Sequence, residues 1–501
     1  MMTLVAALPI IVMLVLLGVL RKPAWMASLL GLATAVVVAL WGYSMPLPRL
    51  VGTVTNGAAF GLWPIGWIVF AAILLYRVVL ETGRFEVLKD SIGHLTDDSR
   101  LQALLIAFSF GAFIEAAAGF GTPVAVAAPM LVGLGFSPFN AAGIALLANT
   151  VPVAFGSVGL PIITLAGITG LPVLKLSAGA GRLCAPIALF VPAYLVVVMS
   201  GWKGLRKVLP SCIVCGVAFA ATQFAIANFI GPQLACILAS LVSMGALVIM
   251  IRVTGAHSAQ SSPHSSRETF AAWLPYFLLV ILVLLWGYKP LAGWLDKQSL
   301  VFHWPALADK APFKFNWLSA SGTACLFAAI LGALFTGVSF GQFVKVLRHT
   351  GKQLALAELT LAAVLAMAYT MNYSGATTTL GLAFAATGAI FPFCSAMLGW
   401  LGVFLSGSDT SSNALFGHLQ IITATKLHMN PTLMAAANTS GGVMGKMISL
   451  TSIAVAVAAT NMKRQDEALL FRFTFRHSIV LASVLGLLVM FYAYVMPVWA
   501  P

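Results

Sequence analysis

Residues 234–251 read Leu-Ala-Cys-Ile-Leu-Ala-Ser-Leu-Val-Ser-Met-Gly-Ala-Leu-Val-Ile-Met-Ile, with no charged side chain anywhere in the run. A helix needs roughly 20 predominantly apolar residues to cross a bilayer. The run does not alternate apolar with polar residues, as a strand of a membrane β-barrel would. Comparable stretches recur at 3–20, 24–43, 58–75, 183–199, 212–230, 273–286 and 479–496. The expected fold is therefore all-α, a polytopic helical membrane protein with about 12–14 transmembrane helices.

Composition supports this and excludes other classes. Of 501 residues, 60% are hydrophobic and 8% charged, whereas soluble domains carry about 25% charged residues. The net charge of +14 does not point to nucleic acid, because the cations cluster in short loops between apolar runs: Arg21 and Lys22; Lys203, Arg206 and Lys207; Lys345, Arg348 and Lys352; Lys463, Arg464, Arg472 and Arg476. Such clusters mark cytoplasmic loops facing the anionic leaflet of a bacterial inner membrane. With Arg21–Lys22 inside, both the N-terminus and the cation-free tail 496–501 are expected outside, over an even number of spans. The N-terminus lacks a cationic leader and a cleavage site, so the first span is expected to be retained. Cys212-Ile-Val-Cys215 has redox or zinc spacing but stands alone in an apolar helix, and packing is the better reading.

Three polar stretches divide the chain. Residues 81–100 mix both signs and read as a cytoplasmic loop with a short amphipathic helix. Residues 252–269, around His257-Ser-Ala-Gln-Ser-Ser-Pro-His264, read as a flexible linker between a first half, 1–251, and a second half, 270–501; both histidines are expected to be solvated. Residues 289–315 mix aromatics with Asp296, Lys297, Asp309, Lys310 and Lys314, as an external interfacial loop would. The order Gly-x-Phe-apolar, a turn with proline, then Ala-Asn-Thr occurs from Gly111 to Thr150 and again from Gly402 to Thr439. Two structural repeats are expected, with broken helices or re-entrant hairpins and a site at their breaks.

A charge inside an apolar run costs about 2.5–3.5 kcal/mol or more and is rarely kept without a partner or a role. Glu115, Glu358 and Asp409 are the acids inside or beside such runs. Glu358 follows Lys352 by little more than a turn, which suits an interface as well as a function. Glu115 precedes Gly119-Phe-Gly-Thr-Pro123, where Gly119, Gly121 and Thr122 should unwind one helix and start another. Burial disfavours the ionised form of a carboxyl group, so Glu115 is placed to exchange a proton, with Asp409 a candidate to share it, rather than merely to pair at a helix end. Asp409 lies in a hydroxyl-rich tract with Ser408 and Thr410, and such tracts at membrane depth need water or a ligand. Asn149, Thr150, Asn438, Thr439 and Ser440 add amides and hydroxyls, and Lys446 adds a cation for a carboxylate. Helix packing explains the glycines of these tracts equally well, but not the amides and the lysine. His418 reads as a packing histidine or a member of a proton relay.

At these residues the chain resembles a known family. Residues 111–125, 148–156, 407–417, 435–449 and Asn372-Tyr-Ser-Gly375 closely resemble signatures of the lactate permease family, and the resemblance covers most of the chain. It implies import of L-lactate, D-lactate or glycolate with a proton, no cofactor and no metal, and it adds Asn372 and Tyr373 as secondary site candidates. Two positions depart from the family pattern: Leu450-Thr451 replaces a Pro-Gln pair, and His418 replaces a small residue. The partners implied are a small carboxylate and the lipid bilayer, with a homo-oligomer possible and no nucleic acid. Sodium coupling is the alternative. An intramembrane metalloprotease would need a His-Glu-x-x-His motif, and an ATP-driven pump a Walker motif, and the sequence has neither; a passive channel is a further alternative.

Overall fold

Glycine and proline decide where the apolar runs break. The structure, a computed structural model, describes residues 2–93, 95–119, 121–256, 264–307 and 312–500. Among these, ten helices are long and apolar enough to cross a membrane, and an eleventh span forms if Pro138–Ala148 and Val153–Thr169, bent by 62°, are one broken crossing.

This count lies below the expected 12–14 for physical reasons. Val173–Phe229 counts once although it is 57 residues long, about 85 Å at 1.5 Å per residue, and far exceeds a hydrocarbon core of about 30 Å. Its backbone leaves helical values at Gly201 (φ +65°) and Val208 (φ −122°), between two membrane-length segments. Met2–Gly18, Thr122–Gly133 and Ser321–Phe335 are apolar helices of 17, 12 and 15 residues and are not among the ten.

The fold is not purely helical: the loop after residue 288 contains the helix Lys289–Asp296 and a small antiparallel hairpin, Leu300–Phe302 against Phe313–Phe315. Residues 81–100 hold the helix Arg84–Gly93, which buries Phe85, Leu88 and Ile92. At the ends of the 252–269 stretch, Thr96 Oγ1 donates to Ala256 O at 2.6 Å and Ser265 caps the helix from Ser266. His264 lies 2.9 Å from Asp90. His257 lies outside the described residues, as do Asp309 and Lys310.

Enclosure differs sharply between spans. Ser99–Ala117 has 94% of its apolar stretch buried, and Ser266–Gly287 only 28%. The first is therefore an inner helix, and it carries Glu115; large apolar side chains such as Phe190, Phe229 and Ile249 stay exposed where lipid would lie. Gly111–Ala117 is followed by Thr122–Gly133 and Pro138–Ala148, and Phe391–Ser406 by Asp409–Lys426 and Pro431–Lys446.

Candidate functional site

Three chain breaks build the site. The first follows Ala117: Ala118 leaves the helical region, and Gly119 (φ +65°) and Gly121 (φ +79°) take left-handed conformations that side chains other than glycine rarely adopt. A new helix starts at Thr122, with Pro123 in its first turn. The second break is at Gly407 (φ +73°), after which Ser408 accepts from the Ser411 N–H at 3.2 Å and caps Asp409–Lys426. The third follows Lys446, and Ser449 caps the next helix, Leu450–Ala459.

These breaks bring together three charged groups far apart in sequence. Glu115 is 4% exposed, Asp409 3% and Lys446 8%, so all three are withdrawn from bulk water. They border one small cavity of ≈ 50 Å³, together with Gly156, Ser157, Pro161, Gly407, Ser408 and Thr410. That is room for a few waters or a very small anion. Lys446 Nζ donates to Gly407 O at 2.7 Å, and it lines the cavity together with Glu115 and Asp409. Glu115 Oε2 and Asp409 Oδ1 are buried with no hydrogen-bond partner in the protein. Unpaired buried acceptors are costly, and here they sit at a cavity beside an ammonium group.

A polar network holds Asp409 in place. Thr439 Oγ1 donates to Asp409 Oδ2 at 2.5 Å, and Asn413 Nδ2 donates to Thr439 Oγ1 at 3.0 Å. The same amide nitrogen donates to Pro161 O at 3.0 Å, tying the two halves together. Asn438 Nδ2 donates to Asn413 Oδ1 at 2.9 Å, and Gln420 Nε2 donates to Asn438 Oδ1 at 3.0 Å. Gly442 gives Asp409 its space: an added Cβ there would sit 3.3 Å from the carboxyl carbon.

The remaining candidates lie at varied distances from the cavity. Ser408 and Thr410 line it. Thr439 and Asn438 act one layer out through the network. Ser440 Oγ is buried without a partner in the hydrogen-bond geometry and lies towards Cys184. Asn149 is buried and lies towards Glu115, and Thr150 donates to its own helix at Leu147 O. Gly119 packs against Ser157, while Gly121 lines a neighbouring cavity and Thr122 is half-buried. Asn372 accepts from Thr377 at 2.7 Å, Tyr373 packs on Tyr369, and His418 is half-buried on the Asp409–Lys426 helix; none of the three lines the cavity.

Three contributors were absent from the sequence candidates. Asn413 and Gln420 continue the face of Asp409 along one helix at i+4 and i+11, a signal that was legible. Ser157 was not legible: Ser157, Val158 and Gly159 are all left-handed, at φ +43°, +59° and +79°, and nothing in their residue types announces it.

Comparison with known proteins adds a second line. The sequence model described as L-lactate permease matches residues 2–496. The glycolate permease GlcA of Escherichia coli is 42% identical, over 98% of this chain and 96% of its own. An L-lactate permease of Bacillus subtilis is 41% identical, over 95% and 93%. Among solved structures, MtrF of Neisseria gonorrhoeae, described within a class of antimetabolite efflux pumps, matches with a TM-score of 0.52 at 13% identity, over 96% of this chain and 97% of its own. At that identity the match speaks for the fold alone.

Proposed function

Because this chain belongs to the L-lactate permease family, we propose that it imports lactate and the closely similar glycolate across the bacterial inner membrane together with a proton. It is a multi-pass membrane permease and not an enzyme. The observation that carries the substrate reading is Lys446, a buried cation that donates to the backbone carbonyl of Gly407, at a cavity the size of a small anion.

Charge supplies the coupling. With Glu115 and Asp409 ionised and Lys446 protonated, the site carries one net negative charge, and a carboxylate entering it would add a second. In a low-dielectric site that repulsion is large. A proton taken up by either carboxyl group restores the original charge, so anion and proton each favour the binding of the other, as linkage requires. Asp409 Oδ1 and Glu115 Oε2, unpartnered in the protein, are the oxygens free to take that proton. The substrate carboxylate would meet Lys446, with Ser408 and Thr410 near enough to the cavity to read its 2-hydroxyl.

The test is uptake of labelled L-lactate by cells lacking their own lactate carriers, with and without a protonophore. Concentrative uptake that collapses with the protonophore is expected. Uptake that ignores pH and requires Na⁺ would replace the proton with sodium, for which the same charge argument holds. No uptake by correctly inserted protein would discard lactate and move the assay to glycolate.

A further inference from the structure

The ≈ 50 Å³ cavity at Glu115, Asp409 and Lys446 is not isolated. It shares Gly407, Ser408 and Lys446 with a second cavity of ≈ 250 Å³. The second shares Leu17, Ala24, Ser406 and Thr451 with a third, of ≈ 880 Å³, whose wall includes Arg21, Lys22 and Arg472. The space thus widens steadily from the buried charges to a mouth with three cations and one acid, Glu467.

We propose that these cavities form one solute path, by which small carboxylate anions pass between Lys446 and the end of the molecule bearing Arg21, Lys22 and Arg472, and that the protein here stands open to that end. The proposal rests on the reading of Lys446 as the substrate cation. Two further observations support it. The middle cavity is edged by hydroxyls, among them Ser28 and Thr451 on mainly apolar helices, and Thr360 and Ser411. Polar groups at membrane depth are tolerated where they line a water-filled space. Thr451 is also exposed, although Ser449 and Ser452 beside it are buried, so its surroundings are open at the junction of the two outer cavities. The mouth cations give the path a direction for anions, since a cleft lined by one sign of charge concentrates ligands of the other. By the distribution of basic loops this mouth faces the cytoplasm.

The test is one-sided labelling of a cysteine at the neck. Five of the native cysteines are buried and Cys394 is half-buried, so the full-length chain with Cys394→Ser gives a quiet background. Thr451→Cys is treated with a charged, membrane-impermeant thiol reagent in right-side-out and inside-out vesicles, with Gln465→Cys as the reference for the mouth. The expected result is labelling at least tenfold faster from the face that labels Gln465→Cys, slowed by added L-lactate. Labelling from the opposite face, or none from either face while uptake is intact, overturns the proposal. If Thr451→Cys does not insert, Leu17→Cys sits at the same neck and decides it by the same outcomes. Should the chain take up no lactate, the substrate reading falls, whereas the sidedness of labelling still decides the path.

Discussion

At the scale of single residues, Lys446 is the charge that makes an anion site out of two buried acids. Truncating one member of a buried charged set typically costs about 2–5 kcal/mol, and each 1.4 kcal/mol is about tenfold in an equilibrium. Lys446→Ala is therefore expected to raise the KM for lactate at least tenfold in uptake assays on protein inserted at normal levels; an unchanged KM would remove Lys446 from the site. Glu115→Gln and Asp409→Asn should each bind substrate, and the one that removes the carboxyl taking the proton should lose accumulation driven by a pH gradient. If Glu115→Gln still concentrates lactate under that gradient, the coupling belongs to Asp409. These three residues were legible because ionised groups in apolar surroundings stand out on cost alone. Ser157 did not stand out, since a serine near a glycine-rich break is commonplace until its partners are known.

At the scale of elements, the site depends on helices that stop at the right place. The Pro431–Lys446 helix lies tightly on Phe391–Ser406, and Gly442 turns one face of it towards Asp409. Gly442→Ala would press a methyl group onto the Asp409 carboxyl and move it off the Thr439 hydroxyl. The expected outcome is an uptake rate lowered about tenfold with normal membrane insertion, because displaced active groups lose rate steeply. Thr439→Val removes the hydroxyl between Asn413 and Asp409 and leaves buried polar atoms unpaired, at about 1–3 kcal/mol; thermal unfolding in detergent should show the loss, and an unchanged midpoint would count against the network. The breaks were visible in the sequence as Gly119, Gly121, Pro123, Pro138, Gly407 and Pro431. Which break faces which was not, because local residue types say where a helix ends and nothing about its neighbours.

At the scale of the whole molecule, loops rich in charge gather at one end. Residues 81–100 touch three others: Arg100 Nη1 donates to Gly204 O at 3.2 Å, Thr96 reaches Ala256, and Glu81 lies 3.7 Å from His349. The clusters around Lys203–Lys207 and Lys345–Lys352 therefore share a face, as the rule for basic loops requires of cytoplasmic ones. Cysteines placed at Lys207 and Lys345 should both label from the cytoplasmic side; labelling from opposite sides would reject that orientation. The apolar runs outnumber the ten counted spans in part because a helix such as Val173–Phe229, which holds two membrane-length segments, counts once.

What the sequence by itself determined is the solvent of this protein, the helix breaks beside Glu115 and Asp409, and the three charged residues at its centre. Each follows from local physical chemistry: apolar length against bilayer thickness, backbone freedom at glycine and proline, and the cost of a buried charge. Only the tertiary structure decided that Glu115, Asp409 and Lys446 share one cavity, that Asn413 reaches Pro161 across the two halves, and that the cavity continues to Arg21, Lys22 and Arg472. Those facts arise from contacts between segments hundreds of residues apart, and no local pattern encodes which distant surface a helix end will meet.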